Sequence, residues 1–175
     1  LEPHSSLPLP AVLFGAHAGA RKNSTGLDLT VPTMRAPLMA ALDSTAVPVV
    51  AEFNTQNTAS AFNAAHASYQ KWSKTAVAER ATILRRAADT MLEQTPAFCA
   101  LLVKEAHKTW GDAISEVREA VDFLRYYADE AERIMQPLAM PQVHGAPAAM
   151  ASYAFGVTGE TNTLSLTARG VWVCI

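Results

Sequence analysis

Arg169-Gly170-Val171-Trp172-Val173-Cys174-Ile175 is a short run, almost wholly apolar after its opening glycine and rich in β-formers. No turn signal follows it. Such a run suits a strand buried on both faces, as in a parallel sheet. One buried strand is not a sheet, so its partners must lie earlier in the chain or in residues beyond it. The preceding sequence reads mainly as helix. The expectation is an α/β fold of which this chain supplies a mainly helical lead-in and the first strands, as a piece of a larger enzyme.

Working outward, Thr161 to Thr167 alternates, with Leu164 and Leu166 on one face, and reads as an exposed or edge strand. Residues 136 to 158 are rich in Pro, Ala, Met and Gly and form a connection. Upstream, the longest helix is expected from about Trp110 to Met135, burying Ile114, Val117, Val121, Leu124 and Ala128. Before it, Thr95-Pro96 reads as a cap followed by Pro at the first helical position, opening a helix with Phe98, Leu101, Leu102 and Val103 that ends near Ala106. A helix from about Ala76 to Gln94 would bury Val77, Ile83, Leu84, Ala87, Ala88 and Met91, with Thr75 as its N-cap. In the helix starting near Thr58, Ala59, Phe62, Ala65, Tyr69 and Trp72 share one face.

Residues 1 to about 50 are broken by six prolines and read as a linker or wrapping arm. A short helix from Pro37 to Leu42 and a brief strand from Val47 to Phe53 are expected within or beside it. Arg21-Lys22-Asn23-Ser24-Thr25-Gly26 is loop chemistry. Leu1-Glu2-Pro3-His4 has neither an initiator Met nor the layout of a signal peptide, so the start, like the end, is expected to be cut.

The net charge of −2 gives no footprint of nucleic-acid binding. No apolar stretch approaches the roughly 20 residues that span a membrane. Cys99 and Cys174 lie far apart, outside any Cys-x-x-Cys motif, and read as reduced, buried thiols of a cytoplasmic protein. His4, His17, His66, His107 and His144 do not cluster at metal-ligand spacings, so no metal site is expected. Gly15-Ala16-His17-Ala18-Gly19 has no following helix to present amides to a phosphate. Glu116 and Glu119 sit one turn apart on the longest helix and by spacing alone read as solvated charges.

Taken in order, Trp72, Glu79-Arg80, Leu101-Leu102-Val103-Lys104-Glu105-Ala106-His107-Lys108-Thr109 and Glu116-Val117-Arg118-Glu119-Ala120-Val121-Asp122-Phe123-Leu124-Arg125-Tyr126-Tyr127-Ala128 resemble the N-terminal helices of the aldehyde dehydrogenase superfamily. The long helix is most similar to that of glutamate-semialdehyde (pyrroline-5-carboxylate) dehydrogenases. Gly159-Glu160-Thr161-Asn162-Thr163-Leu164 and the terminal run resemble the same family's approach to its cofactor site. Arg21 to Leu29 is similar to the segment joining the two catalytic halves of bifunctional proline utilization A enzymes.

The resemblance implies residues 51 to 175 as an incomplete NAD-binding domain, with 160 to 169 starting a hairpin used in oligomerisation. It implies a parent enzyme, a homo-oligomer, that oxidises L-glutamate γ-semialdehyde to L-glutamate with NAD in proline catabolism. FAD would belong only to an upstream proline dehydrogenase half. It places no catalytic residue in this chain, which alone would be inactive. Ile175 would fall at the strand end lining the NAD pocket, and Glu119 would face the aldehyde entrance and meet the substrate ammonium. His107 stands where the family usually has Gly, a position that would require positive φ. The rival expectations are a self-contained helical interaction module and a catalytically dead relative that binds NAD.

Overall fold

Helices dominate the computed structural model, which describes His4, Ser6, Leu7 and residues 23–139 and 163–172. In chain order these residues form α1 (Pro32–Ser44), a 3₁₀ turn (Thr55–Asn57), α2 (Thr58–Trp72), α3 (Val77–Glu93), α4 (Thr95–Ala106), α5 (Trp110–Ile134), β1 (Leu138–Ala139) and β2 (Thr163–Leu164). The core lies where α5 packs along α3 and crosses α4, with α1 laid on the other side of α4. Leu38, Ala88, Cys99, Ala113, Ile114, Val117 and Val121 close it. Alanines at this interface let the helix backbones approach closely, and the large side chains fill its margins.

Helix α5 shows why the pattern was legible. Ala113, Ile114, Val117, Val121 and Ala128 recur at three- and four-residue steps and are buried, with Leu124 packed at the edge. Thr109 opens the helix by accepting a hydrogen bond from the Asp112 amide at 3.2 Å, while its own hydroxyl donates to the Asp112 carboxylate at 2.7 Å. This pairing satisfies an otherwise orphaned donor and puts a carboxylate in the first turn. Arg85 on α3 donates to Asp129 at 2.7 Å and Glu132 at 2.5 Å on α5. The guanidinium holds the Glu132 carboxyl below its usual range, and the two carboxylates raise Arg85 in turn. Arg125 reaches Asp89 at 2.9 Å and ties the same two helices half-way along.

Several expectations are corrected. Thr75 does not cap α3: Ala76 holds the cap position without a side-chain bond, and the Thr75 hydroxyl donates back to the Lys71 carbonyl at 3.3 Å. Thr95 likewise lies inside α4 and donates to the Leu92 carbonyl at 2.7 Å, leaving Gln94 as an unbonded cap. A hydroxyl beside a preceding helix end finds an acceptor one turn back, and that local bond competes with capping. Residues 47–53 form no strand, and Val49 and Val50 lie exposed. Ile83 and Ala87 are exposed although their positions were expected to be buried, and Ala81 is buried instead.

The helix within the N-terminal arm runs from Pro32 rather than Pro37. Pro32 serves the first turn, where the missing amide costs nothing. Leu38 projects from α1 into the core, so part of the arm is integral to the helical body. At the other end, Leu138 faces Leu164 and Ala139 faces Thr163 in a short antiparallel pair. This pair is the only part of the expected Thr161 to Thr167 strand that is paired among the described residues. Residues 170–172 are not in a strand, and the expected strand's remaining residues, Cys174 and Ile175 among them, lie outside the described residues.

Helix α2 carries the expected apolar face, yet none of its residues is buried. Phe62, His66 and Tyr69 stack along it with ring centroids 6.3 Å apart, and the Tyr69 hydroxyl donates to the Ala168 carbonyl at 2.8 Å. That bond ties α2 to the segment after β2.

His107 ends α4 in the left-handed region, at φ 54° and ψ 32°. Its amide and that of Lys108 both donate to the Leu102 carbonyl, closing the helix end. A side chain with a Cβ is strained there and glycine is not. His107→Gly is expected to stabilise the protein by about 0.5–1 kcal/mol, the relief of strain exceeding the added chain entropy. Urea titration of the two forms checks this; a loss of stability would mean the imidazole makes a compensating contact.

Candidate functional site

The sequence repeat that buries one face of α5 turns the opposite face outward. Glu119, Phe123 and Tyr126 follow one another at four- and three-residue steps, so they line one stripe. All three are exposed, as is Tyr127. Phe123 and Tyr127 rings lie 5.8 Å apart, and Tyr126 meets Tyr127 edge-on at 5.3 Å. A carboxylate followed by aromatic rings along one helix face suits an organic cation: the carboxylate attracts the charge, and the ring faces add to the attraction.

Glu116, one turn before Glu119, is engaged differently. Lys108, just beyond the left-handed turn at His107, donates to its carboxylate at 2.5 Å. This ion pair joins the α4–α5 connection to α5 and neutralises one of the two neighbouring glutamates. Arg118 and Asp122, on the same helix, serve another partner.

That partner is Ser24, 94 and 98 residues away. The Ser24 amide donates to Asp122 Oδ1 at 2.7 Å and its hydroxyl to Asp122 Oδ2 at 3.0 Å. Arg118 Nε donates to the Ser24 hydroxyl at 3.4 Å. Ser24 is 5% exposed, the one buried polar residue among those described. Sequence reasoning missed this cluster, because loop chemistry at 21–26 carries no signal for which helix the loop will meet. A groove of about 330 Å³ opens beside it, lined by Thr25 and Leu27 on one side, Leu38 of α1 beneath and Leu92, Thr95 and Pro96 on the other.

Other candidates can be placed. Cys99 is buried and unbridged, and burial pushes its thiol up to about 11. A thiol so held is not a nucleophile at neutral pH. His66 is exposed on α2. Ile175, Cys174 and the glycines of 15–19 lie outside the described residues. Among the described residues no group of His, Cys, Asp and Glu could hold a metal, and no helix is long and apolar enough to cross a membrane. The groove beside Ser24 has no charged side chain in its lining.

The chain was compared with known proteins. Residues 34–161 match the model of the aldehyde dehydrogenase family. The chain is 36% identical over 159 residues to bifunctional protein PutA of Klebsiella aerogenes, covering 73% of this chain and 12% of that protein. It is 44% identical over 79 residues to 1-pyrroline-5-carboxylate dehydrogenase of Anoxybacillus flavithermus, covering 45% of this chain and 15% of that protein. The helical fold superposes on a crystal structure of bifunctional proline utilization A with a TM-score of 0.76 at 33% identity, over 95% of this chain and 16% of that one. The chain thus spans about an eighth of the length of the PutA relative it matches.

Proposed function

The chain belongs to the aldehyde dehydrogenase family, and from that premise we propose that it is the helical lead-in of the NAD-binding domain of an L-glutamate γ-semialdehyde dehydrogenase. The parent enzyme, in this reading, oxidises the aldehyde to L-glutamate with NAD in proline catabolism, in the cytoplasm and as a homo-oligomer. The observation that carries the reading is the superposition on proline utilization A over nearly the whole chain. An α/β domain is consistent with it: the exposed face of α2 and the 73% exposed Trp172 are apolar surfaces of the kind a sheet covers. Residues 160 to 169 would begin the oligomerisation hairpin, and Ile175 would line the nicotinamide cofactor's pocket. FAD would enter only if a proline dehydrogenase domain lies upstream.

Within this reading the chain brings no catalytic group. The buried thiol of Cys99 agrees with that, and the 175-residue chain alone would be inactive. Its contribution to the substrate site is Glu119. The amino acid aldehyde carries an ammonium group, and the exposed Glu119 carboxylate with Phe123 beside it suits that cation. Glu119→Gln in the full-length enzyme removes the charge and keeps the shape. The aldehyde KM is expected to rise about tenfold, near 1.4 kcal/mol, with kcat little changed. An unchanged KM would sink the substrate contact. A full-length enzyme that fails to reduce NAD with glutamate semialdehyde would sink the wider proposal.

A second reading rests on the closed core formed by α1, α3, α4 and α5. It makes the chain a helical interaction module that stands alone. It calls for a monodisperse isolated chain with one cooperative thermal transition; aggregation through the exposed apolar faces would favour the dehydrogenase reading.

A further inference from the structure

Residues 23–31 cross α5 and reach α1 without regular structure, yet they are held at defined points. Ser24 gives both its amide and its hydroxyl to the two oxygens of one carboxylate, Asp122. Beside that bond a Cβ on Gly26 would lie 3.5 Å from Arg118 Nη1, so the backbone runs directly over the guanidinium. Farther along, Asp28 Oδ1 accepts from the Thr30 amide and hydroxyl at 2.9 and 2.7 Å, and Arg35 donates to the Leu29 carbonyl at 2.7 Å. Leu27 and Leu29 are only partly buried against the core, whose fully buried members come from α1, α3, α4 and α5.

We propose that residues 23–31 form a latched strap, with Asp122 as the latch. The strap opens as one unit from the helical body, and opening removes the Thr25–Leu27 wall of the apolar groove over Leu38. The argument is one of unequal attachment. The body is held by contiguous apolar packing that does not include the strap's polar anchors. The strap is held by hydrogen bonds gathered at Ser24, two of them on the Asp122 carboxylate and the others with Arg118, and by Arg35 at Leu29, with two half-buried leucines behind them. Segments of few buried apolar contacts open at lower free energy than the core beneath them. Asp122 and Glu119 lie one turn apart on α5, so the latch also fixes where the arm passes the substrate-facing stripe. That last point alone rests on the dehydrogenase reading; the latch does not.

The test is hydrogen exchange by mass spectrometry on the full-length protein and two variants. Asp122→Ala removes both acceptors and should speed exchange in residues 24–31 by about tenfold or more, with α3 and α5 amides unchanged. Asp122→Asn keeps an acceptor for the amide and should stay close to the parent. If exchange in 24–31 is unmoved by Asp122→Ala, Asp122 is not the latch. If α5 accelerates in step, strap and core are one unit and the proposal fails. Absence of NAD-dependent aldehyde oxidation in the unsubstituted full-length protein would sink the dehydrogenase reading and leave these two outcomes to decide the latch.

Discussion

Val121→Asp will abolish the cooperative unfolding transition of the helical body. Val121 is fully buried at the middle of α5, in contact with the cluster that joins α3, α4 and α1. The buried members of that cluster offer no cation, and their only hydrogen-bonding group is the weak thiol of Cys99. An aspartate there must either ionise without a partner or take up a proton, and each route costs several kcal/mol. The whole stability of a domain is only about 5–15 kcal/mol. Val121→Ala removes two methyl groups and should cost about 2 kcal/mol by lost burial and a partly collapsed cavity. Circular dichroism during urea unfolding distinguishes the cases. A native-like transition for Val121→Asp would mean that α5 rolls to expose this position, which the ion pairs of Arg85 and Arg125 oppose.

Ala88→Leu is expected to destabilise by about 1–3 kcal/mol or somewhat more, through overpacking rather than through a cavity. Ala88 is fully buried on α3 against α5. Its small side chain sets how closely the two helices approach. A leucine adds three carbons where no space is left, so either the rotamer or the helix separation must give. The neighbouring Ala87 is exposed, and Ala87→Leu should change stability by less than about 0.5 kcal/mol. Helix propensity is nearly the same for both changes, so the difference between them isolates packing. Equal midpoints in urea for the two variants would show that the α3–α5 interface is looser than its buried alanines imply.

The α5 stripe and the order of helices were legible in the sequence, and the left-handed turn at His107 was suggested only by the glycine that the resembled family usually has there. Each is a local matter: a period of 3.6, a glycine position filled by another residue, a proline in a first turn. Thr75 and Thr95 were misread because a hydroxyl has two local uses, and sequence alone does not say which acceptor is nearer. The stripe on α2 was read correctly as a pattern. The pattern alone does not say whether that face is covered, since cover requires a partner lying against it. Of the candidate site, Glu119 was singled out only through family resemblance, whereas its exposure beside Phe123 and Tyr126 needed the helix to be oriented by packing. The Ser24–Asp122 contact was invisible, since nothing in either segment encodes a meeting across 98 residues.

The bundle of α3, α4 and α5 is made of consecutive helices between residues 77 and 134, and its main packing, α5 along α3, closes over a single intervening helix. Such local topology places the bundle among quickly folding arrangements, because little loop entropy is lost before contacts form. Synthesis adds about 5–20 residues per second, far slower than helices dock. The bundle can therefore assemble on the ribosome soon after residue 134 clears the exit tunnel, before later segments exist. Ser24 has by then waited, unpartnered, through about a hundred residues of translation, and its capture by Asp122 would mark the end of that stage rather than its beginning.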